Sequence, residues 1–526
     1  MQSNEQFLWQ YVDKWAAIKP DAEAVVFRDT RMTWAQLADA VDRTARAFLE
    51  IGVEKGDCIA MISMARPEFL IAFMAAAKVS AIWTGMSPRF SVGEMKRILR
   101  DCRPSLLITL DRYNDTNLTE RALTYGFGLS CIREVMVIGE PVADALDFSA
   151  YTSEKRPALD DMLAARIATA HPEDEALLMY TSGSSGTPKG VLHSHHTILS
   201  NVEQQHTLFE INSDSRILLH FPITHVAADV EIGFCGVYAG ACIVMMDRFD
   251  PGETLDIIEK EQITVLGQVP PMYQLEMRHE KFDQVNWESV KTFAWGGSTA
   301  PRDMLDKLDA ISRRTGARLV TGYGATELGG FVTATRPDDP IEQLTQHTGV
   351  PYGNCEVRVV DKDGNTLPAG EVGEVAIRGP VLMKGYLNSP ARTSEVLDED
   401  GWYYTRDLGN LNKDGTLTIC GRSSEMFKTS GENVFPCEIE NVLEAHPAVL
   451  YSAVIAVPDP IYDEVAHGHV MVVPGAQASS EELMVWCREH LAPFRMPRSI
   501  TVHASLPLLD SGKVNKLKLR EMVDDE

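Results

Sequence analysis

The feature that most restricts how this chain can fold is an alternation running through its first 330 residues. Stretches of helical periodicity, such as TWAQLADAVDRTARAFLEIG (33–52), alternate with short β-branched runs such as LLITL (106–110), ACIVMM (241–246) and ITVLGQV (263–269). That pattern favours βαβ units and mostly parallel sheets. Residues 349–420 change character: EVRVVDKDGNTLP and GEVGEVAIRGP alternate with period two, and the turns DKDG (361–364) and NKDG (412–415) invite hairpins. An antiparallel, barrel-like piece is expected there. After Gly421 the pattern is mixed, with helix candidates at 437–446 and 481–491 around a strand at 452–458. About 105 residues suffice for a small α+β domain. The fold class expected is α/β: a large N-terminal domain (1–421) of two βα-type sheet subdomains plus the antiparallel piece, followed by a small mobile α+β domain (425–526).

At 526 residues, the chain exceeds a single compact unit. Its net charge of −26 disfavours loose electrostatic binding to nucleic acid or anionic lipid, so an anionic ligand must be met by a local site. The nine cysteines contain no CxxC pair and read as reduced, buried thiols. The start MQSNEQFLWQ lacks the features of a signal peptide, and Lys78 stops the apolar run 69–77 far short of a membrane span. A soluble, cytoplasmic protein is expected.

Four motifs carry chemistry. In Tyr180-Thr-Ser-Gly-Ser-Ser-Gly-Thr-Pro-Lys-Gly190, glycines 183, 186 and 190 permit close approach of backbone N–H groups. Hydroxyls at Thr181, Ser182, Ser184, Ser185 and Thr187, with Lys189, offer donors to phosphate. A Walker A loop is excluded, because Pro188 rather than Gly precedes the lysine and Gly190 rather than a hydroxyl follows it. In Gly322-Tyr-Gly-Ala-Thr-Glu-Leu-Gly-Gly330, Thr326 and Glu327 set a hydroxyl beside a carboxylate, oxygen ligands that suit Mg²⁺. In Tyr403-Tyr-Thr-Arg-Asp-Leu-Gly409, Asp407 has two acceptor oxygens able to take both hydroxyls of a ribose. In Leu508-Leu-Asp-Ser-Gly-Lys-Val-Asn-Lys516, a mobile ammonium at Lys513 suits a transition state that gathers negative charge.

In order and spacing these motifs resemble the acyl-adenylate-forming superfamily of acyl-CoA synthetases, adenylation domains and luciferases, and most closely the acid:CoA ligases. The resemblance implies a glycine-rich cover for the ATP β- and γ-phosphates at 181–190, with Ser185 where threonine is commoner. It also implies phosphate and Mg²⁺ contacts at Thr326 and Glu327, adenine stacking on Tyr323, and a turn at Gly297 and Ser298 between adenine and acyl pocket. Ribose or phosphate contact falls on Asp407 and Arg422, and the catalytic lysine on Lys513. The small domain is expected to rotate about Ser424, where the family usually has Asp or Lys, and to bring Lys428, Ser430, Gly431 and Glu432 to the site, with Gly431 lining a pantetheine tunnel.

Within FPITHVAADVEIGFCGVYAGA (221–241), Ala227 stands where amino-acid-activating relatives carry an Asp, which disfavours an amino-acid substrate. Gly324 stands where acetate specialists have Trp, so the expected pocket is roomy and lined by Ala227, Val230, Phe234, Gly324, Leu328 and Phe331. His225 matches a position that gates the acyl pocket; a buried, hydrogen-bonded histidine is its structural alternative. The cluster His193-Ser-His195-His196 lacks an acidic or thiol partner at ligand spacing, and zinc is not expected there.

The expected protein is an ATP-dependent acid:CoA ligase. It would take ATP, Mg²⁺, coenzyme A and a medium-to-large apolar aliphatic, alicyclic or aromatic acid, pass through an acyl-AMP, and act as monomer or homodimer without nucleic acid. Alternatives are transfer to the pantetheine of an acyl carrier protein, and a non-catalytic nucleotide-binding homologue.

Overall fold

The runs CIAMI, LLITL and EVMVI are apolar almost without interruption, as strands covered on both faces must be. They form the parallel neighbours Cys58–Ile62, Leu106–Leu110 and Glu134–Ile138, buried at every position but Glu134. This computed structural model describes residues 5–181, 188–509 and 513–524. The three strands belong to an eight-stranded sheet in the order 385–386, 189–194, 175–181, 82–86, 58–62, 106–110, 134–138, 146–147. A nine-stranded sheet follows the order 350–351, 330–334, 318–325, 292–295, 265–268, 216–219, 242–245, 23–27, 30–33. Both are parallel through their centres; the eight-stranded sheet is antiparallel at one edge and the nine-stranded sheet at both.

Helices cover these sheets where their apolar periodicity demands. Trp34–Ile51 begins with a reciprocal cap between Thr33 and Gln36 and ends at Gly52 with φ +88°, while Leu37, Val41, Ala45 and Phe48 face inward. The apolar run before Lys78 is the helix Pro67–Lys78, buried at every residue but Glu68. Lys78 is itself buried and pairs with Asp13 at 2.9 Å and Asp42 at 2.6 Å. No helix among the described residues is long and apolar enough to cross a membrane.

The predicted hairpins form a four-stranded antiparallel sheet, Glu356–Val360, Gly373–Arg378, Tyr403–Leu411 and Leu417–Arg422, with Gly364 and Gly415 at positive φ in the two turns. From Arg422 the chain turns through 423–426 into a last sheet built from Phe427–Thr429, Glu432–Val434, Val449–Asp459, Asp463–Val472 and Ser499–His503. The helices Pro436–Glu444 and Ser480–His490 pack on it. In the nine-stranded sheet, the carboxyl ends of Arg216–Leu219, Thr292–Trp295 and Arg318–Ala325 lead into His225, Gly297 and Thr326. Crevices outside the carboxyl ends of parallel strands are where α/β sheets bind ligands.

Candidate active site

The strand Arg318–Ala325 turns back through a single 3₁₀ turn, Thr326–Leu328, closed by Gly329 at φ +66°, into Gly330–Ala334. The two strands approach so closely that a Cβ on Gly322 would lie 2.1 Å from the Thr333 carbonyl oxygen, and one on Gly324 2.2 Å from that of Gly330. Backbone leaves space for glycine alone. This corrects the expectation for Gly324: the room it was expected to leave for an acyl group is filled by the neighbouring strand. Beyond it, Glu327 Oε1 accepts the Tyr386 hydroxyl at 2.9 Å, and Lys189 Nζ lies over the same ring, 5.0 Å from its centre. Burial lowers the Lys189 pKa, opposed by the charge of Glu327. Thr181 and Lys189 are paired across antiparallel strands, so the flanks of the glycine-rich string are neighbours. Ser182, Gly183, Ser184, Ser185, Gly186 and Thr187 lie outside the described residues.

The 326–331 turn is held from beneath by residues that the sequence did not single out for that purpose. His193 is fully buried and donates from Nε2 to the Thr326 carbonyl at 2.7 Å. A carbonyl only accepts, which fixes the Nε2–H tautomer and leaves Nδ1 toward Thr197 Oγ1 at 3.1 Å. Burial pulls the His193 pKa down to about 4. Asn201 donates to the carbonyls of Leu328 and Phe331, each at 3.1 Å. His195 points elsewhere, its Nδ1 accepting the Leu8 N–H at 3.3 Å. Thr197, Asn201 and Gln205 recur every four residues on the buried face of the helix His195–Leu208; that polar stripe was the available signal.

Asp407 joins two motifs. It is 9% exposed; Oδ2 accepts the Tyr323 hydroxyl at 2.5 Å, and Oδ1 faces Arg422 Nε at 3.3 Å across paired strands. The Tyr323 ring is buried beneath the antiparallel sheet, with its hydroxyl pKa raised by burial and by Asp407. Arg422 keeps 61% of its side chain accessible.

Lys513 arrives from the far end of the chain. An ideal Cβ on Gly297, which has φ +87°, would lie 3.3 Å from Lys513 Cε and 3.9 Å from Nζ, so this ammonium rests against the exposed Gly297–Ser298 turn. Lys513 retains accessible surface, yet the surrounding protein and the nearby Arg422 charge lower its pKa, against the pull of Asp407 and Glu425. A bridge between Leu508 and Val514 and a bond from Leu509 N–H to the Lys513 carbonyl at 2.7 Å shape its loop. Three residues on, Lys516 pairs with Glu425 at 2.5 Å and Glu440 at 2.8 Å. His225 accepts the Ala227 N–H through Nδ1 at 3.2 Å; burial, reinforced by Lys513, lowers its pKa to about 4, so the ring is neutral and carries its proton on Nε2.

The acyl candidates are only partly brought together. Ala227 and Val230 are buried on a π-helix, Ala227–Phe234, which also bears Phe234. The Phe331 ring fills the space left by Gly296, where a Cβ would lie 2.6 Å from it. Phe234 instead meets Tyr11 edge-on at 6.0 Å, and Leu328 packs with Val191, Tyr323 and Val332 beneath the antiparallel sheet. Lys428, Ser430, Gly431 and Glu432 do not reach the cleft in this arrangement: they lie on an exposed hairpin, with Ser430 and Gly431 at φ +53° and +86°. Ser424 is exposed in the turn between the last two sheets.

The cleft thus gathers the buried Asp407 carboxylate, the Thr326 hydroxyl beside the Glu327 carboxylate, and a lysine from the terminal domain. The profile of an AMP-binding enzyme matches residues 12–387, and that of the AMP-binding enzyme C-terminal domain matches 438–513. The chain is 32% identical over 505 residues to a feruloyl-CoA synthase of Amycolatopsis, covering 96% of each. It is 28% identical over 516 residues to an indoleacetate–CoA ligase of Aromatoleum aromaticum, covering 98% of each. The fold matches an anthranilate CoA ligase crystallised with anthranoyl-AMP at TM-score 0.89 and 24% identity, covering 98% of this chain and 97% of that one. It also matches the amide bond synthetase McbA of Marinactinospora thermotolerans at TM-score 0.82 and 28% identity, covering 98% and 99%. Agreement of both domains, of full-length relatives and of the fold has one consequence: this chain belongs to the AMP-binding enzyme family.

Proposed function

We infer that the protein is an ATP-dependent, AMP-forming acid:CoA ligase for a medium-to-large aromatic or alicyclic acid. The observation that carries the reading is the seating of Lys513 against Gly297, in the cleft that holds Asp407 and Glu327. The acid class rests on the relatives, named for ferulate, indoleacetate and a methyl-dioxo-octahydroindenyl propanoate.

Asp407, oriented by Tyr323 and Arg422, binds the ribose hydroxyls, and the string 181–190 binds the phosphates. Thr326 and Glu327 would hold Mg²⁺: both offer hard oxygen donors, and the second Glu327 oxygen accepts no protein hydrogen bond among the described residues. Magnesium, when bound, neutralises triphosphate charge. The substrate carboxylate attacks the α-phosphorus, an O–P bond forms, and pyrophosphate departs. Lys513 stabilises the charge growing on the α-phosphate and on the joining oxygen. His225, being neutral, donates from Nε2 without adding a second cation beside Lys513. Rotation about Ser424 then withdraws Lys513 and presents the hairpin 427–434. The CoA sulfur attacks the acyl carbonyl, and AMP leaves in place of a hydroxide that could not.

Acid-dependent exchange of pyrophosphate into ATP tests the first step. Lys513→Ala is expected to lower it about 10²–10³-fold, the usual loss of one transition-state charge donor. Undiminished exchange would reject the assignment, and failure of free CoA to yield a thioester would reject the acceptor.

A further inference from the structure

The acyl side of the cleft carries a carboxyl group that this mechanism leaves unused. Glu231 lies on the π-helix, four residues after Ala227. Its Oε1 accepts the Phe331 N–H at 3.1 Å, and a Cβ on Gly330 would lie 3.0 Å from that oxygen and 3.1 Å from Gln205 Oε1. Glu231 therefore sits over Gly330–Phe331. The Phe331 ring in turn fills the space of Gly296, whose neighbour Gly297 carries Lys513. This chain of contacts links Glu231 to the turn against which Lys513 rests.

Among the described residues nothing completes the environment of this carboxyl. Among the described residues no lysine, arginine or histidine pairs with it; its electrostatic neighbours are Tyr352 and Cys235. Its second oxygen accepts no hydrogen bond from the described residues and is not among the polar atoms sealed from solvent. Burial pushes the pKa up to about 7. A partly desolvated acceptor without a donor is unfavourable in an apolar wall, and a ligand that supplies the donor removes that penalty.

We propose that Glu231 is a specificity-determining residue whose free oxygen accepts a hydrogen bond from a hydroxyl or amino group on the acid, remote from its carboxylate. This rests on the acid:CoA ligase reading and refines it: the preferred substrate is an apolar skeleton bearing one such donor. A site built to pair a polar group rejects the analogue that lacks it far more strongly than an apolar pocket rejects a methylene.

The test compares acid-dependent pyrophosphate release for 3-phenylpropanoate and cyclohexanepropanoate with their ring-hydroxy and ring-amino isomers, in the wild type, Glu231→Gln and Glu231→Leu. In the wild type assayed at pH 8 or above, where the carboxyl is ionised, at least one donor-bearing isomer should exceed its parent by about 10- to 100-fold in kcat/KM, the range of a hydrogen bond to a charged acceptor. Glu231→Leu should erase the preference, and Glu231→Gln, whose amide oxygen still accepts, should keep part of it. The hydroxy and amino arms identify the donor. Wild-type indifference to the donor, or a preference that survives in Glu231→Leu, overturns the proposal while leaving the ligase reading intact. Should Glu231→Leu not fold, a preference unchanged in Glu231→Gln with respect to both donors and their parents overturns it. Release with no acid in either series overturns the ligase reading and this proposal with it.

Discussion

Asp407 is the most engaged side chain of the cleft, with one oxygen on Tyr323 and the other on Arg422. Tyr323→Phe removes the buried donor and leaves the exposed Arg422 as sole partner. Loss of one hydrogen bond to a buried charge costs about 1.5–3 kcal/mol. The KM for ATP should rise by about tenfold or more with a smaller change in kcat, and a KM unchanged in steady-state exchange would deny Asp407 its nucleotide role. Glu276 shows burial without a counter-charge: Oε1 accepts from Gln268 at 2.5 Å, Oε2 has no partner, and desolvation raises the pKa to about 8. The folded state thus holds a proton that the unfolded chain releases near the ordinary 4.5. Its contribution to stability is complete below about pH 4.5 and is lost as pH rises toward 8. Glu276→Gln should therefore gain stability relative to the wild type between pH 5 and pH 8, by an amount on the order of 2–4 kcal/mol. Urea unfolding at both values measures it, and an equal difference at both would contradict the assignment.

The π-helix Ala227–Phe234 owes its wide turn to Gly233, where a Cβ would lie 2.3 Å from the Ala228 carbonyl oxygen. Gly233→Ala should force the turn to rearrange and destabilise the protein by about 1–3 kcal/mol, the usual range for overpacking; an unchanged melting temperature would show that the turn adapts freely. At the hairpin tip, Ser430 sits at φ +53°, a conformation that costs a non-glycine residue about 1 kcal/mol. Ser430→Gly should stabilise the domain by up to about that much, readable in thermal unfolding. These two elements mark how far the sequence could be read. The helix Trp34–Ile51 was legible because Thr33, Gln36 and Gly52 write its ends locally, and the strands because their apolar runs are short and bounded. AADVEIGF has the composition of an ordinary helix, and its one local mark, Gly233, does not by itself distinguish a wide turn from a regular one. The same division holds in the cleft. Lys189, Glu327, Asp407 and Lys513 stand out by residue type beside glycines or hydroxyls. The meaning of Gly324 depends on a strand that passes only after the turn, and Thr197, Asn201 and Gln205 become a buried polar stripe only once the helix is placed beneath Thr326. Glu231, like Asp229, interrupts an apolar run, and no local pattern says which of the two reaches Phe331.

The lobe after Arg422 presents two different faces, and only one is used in this arrangement. Lys513 lies in the cleft, while the Ser430–Gly431 tip stands in solvent with nothing within 4 Å of a Cβ built on Gly431. Polar contacts between the lobes include Arg278 Nη2 to the Pro447 carbonyl at 3.0 Å and Cys437 Sγ to that of Cys420 at 2.5 Å. Interfaces of this polar kind permit relative domain motion. Lys516, bound to Glu425 and Glu440, ties the Lys513 loop to the beginning of the lobe, so the loop and the hairpin would turn as one body. One lobe cannot then place both faces in the cleft at once, so the two steps of the proposed reaction would require two orientations. Two variants should therefore fail in opposite halves of the reaction. Lys513→Ala should lose pyrophosphate exchange but still convert preformed acyl-AMP and CoA to thioester at a rate within a few-fold of the wild type. Gly431→Leu, exposed here but expected in the cleft after rotation, should retain most of the exchange and lose more than about tenfold in thioester formation, because a side chain at this positive φ is strained and would obstruct the approach of the thiol. Single-turnover assays of each half separate the outcomes: comparable losses in both halves for either variant would mean that one fixed orientation serves both steps.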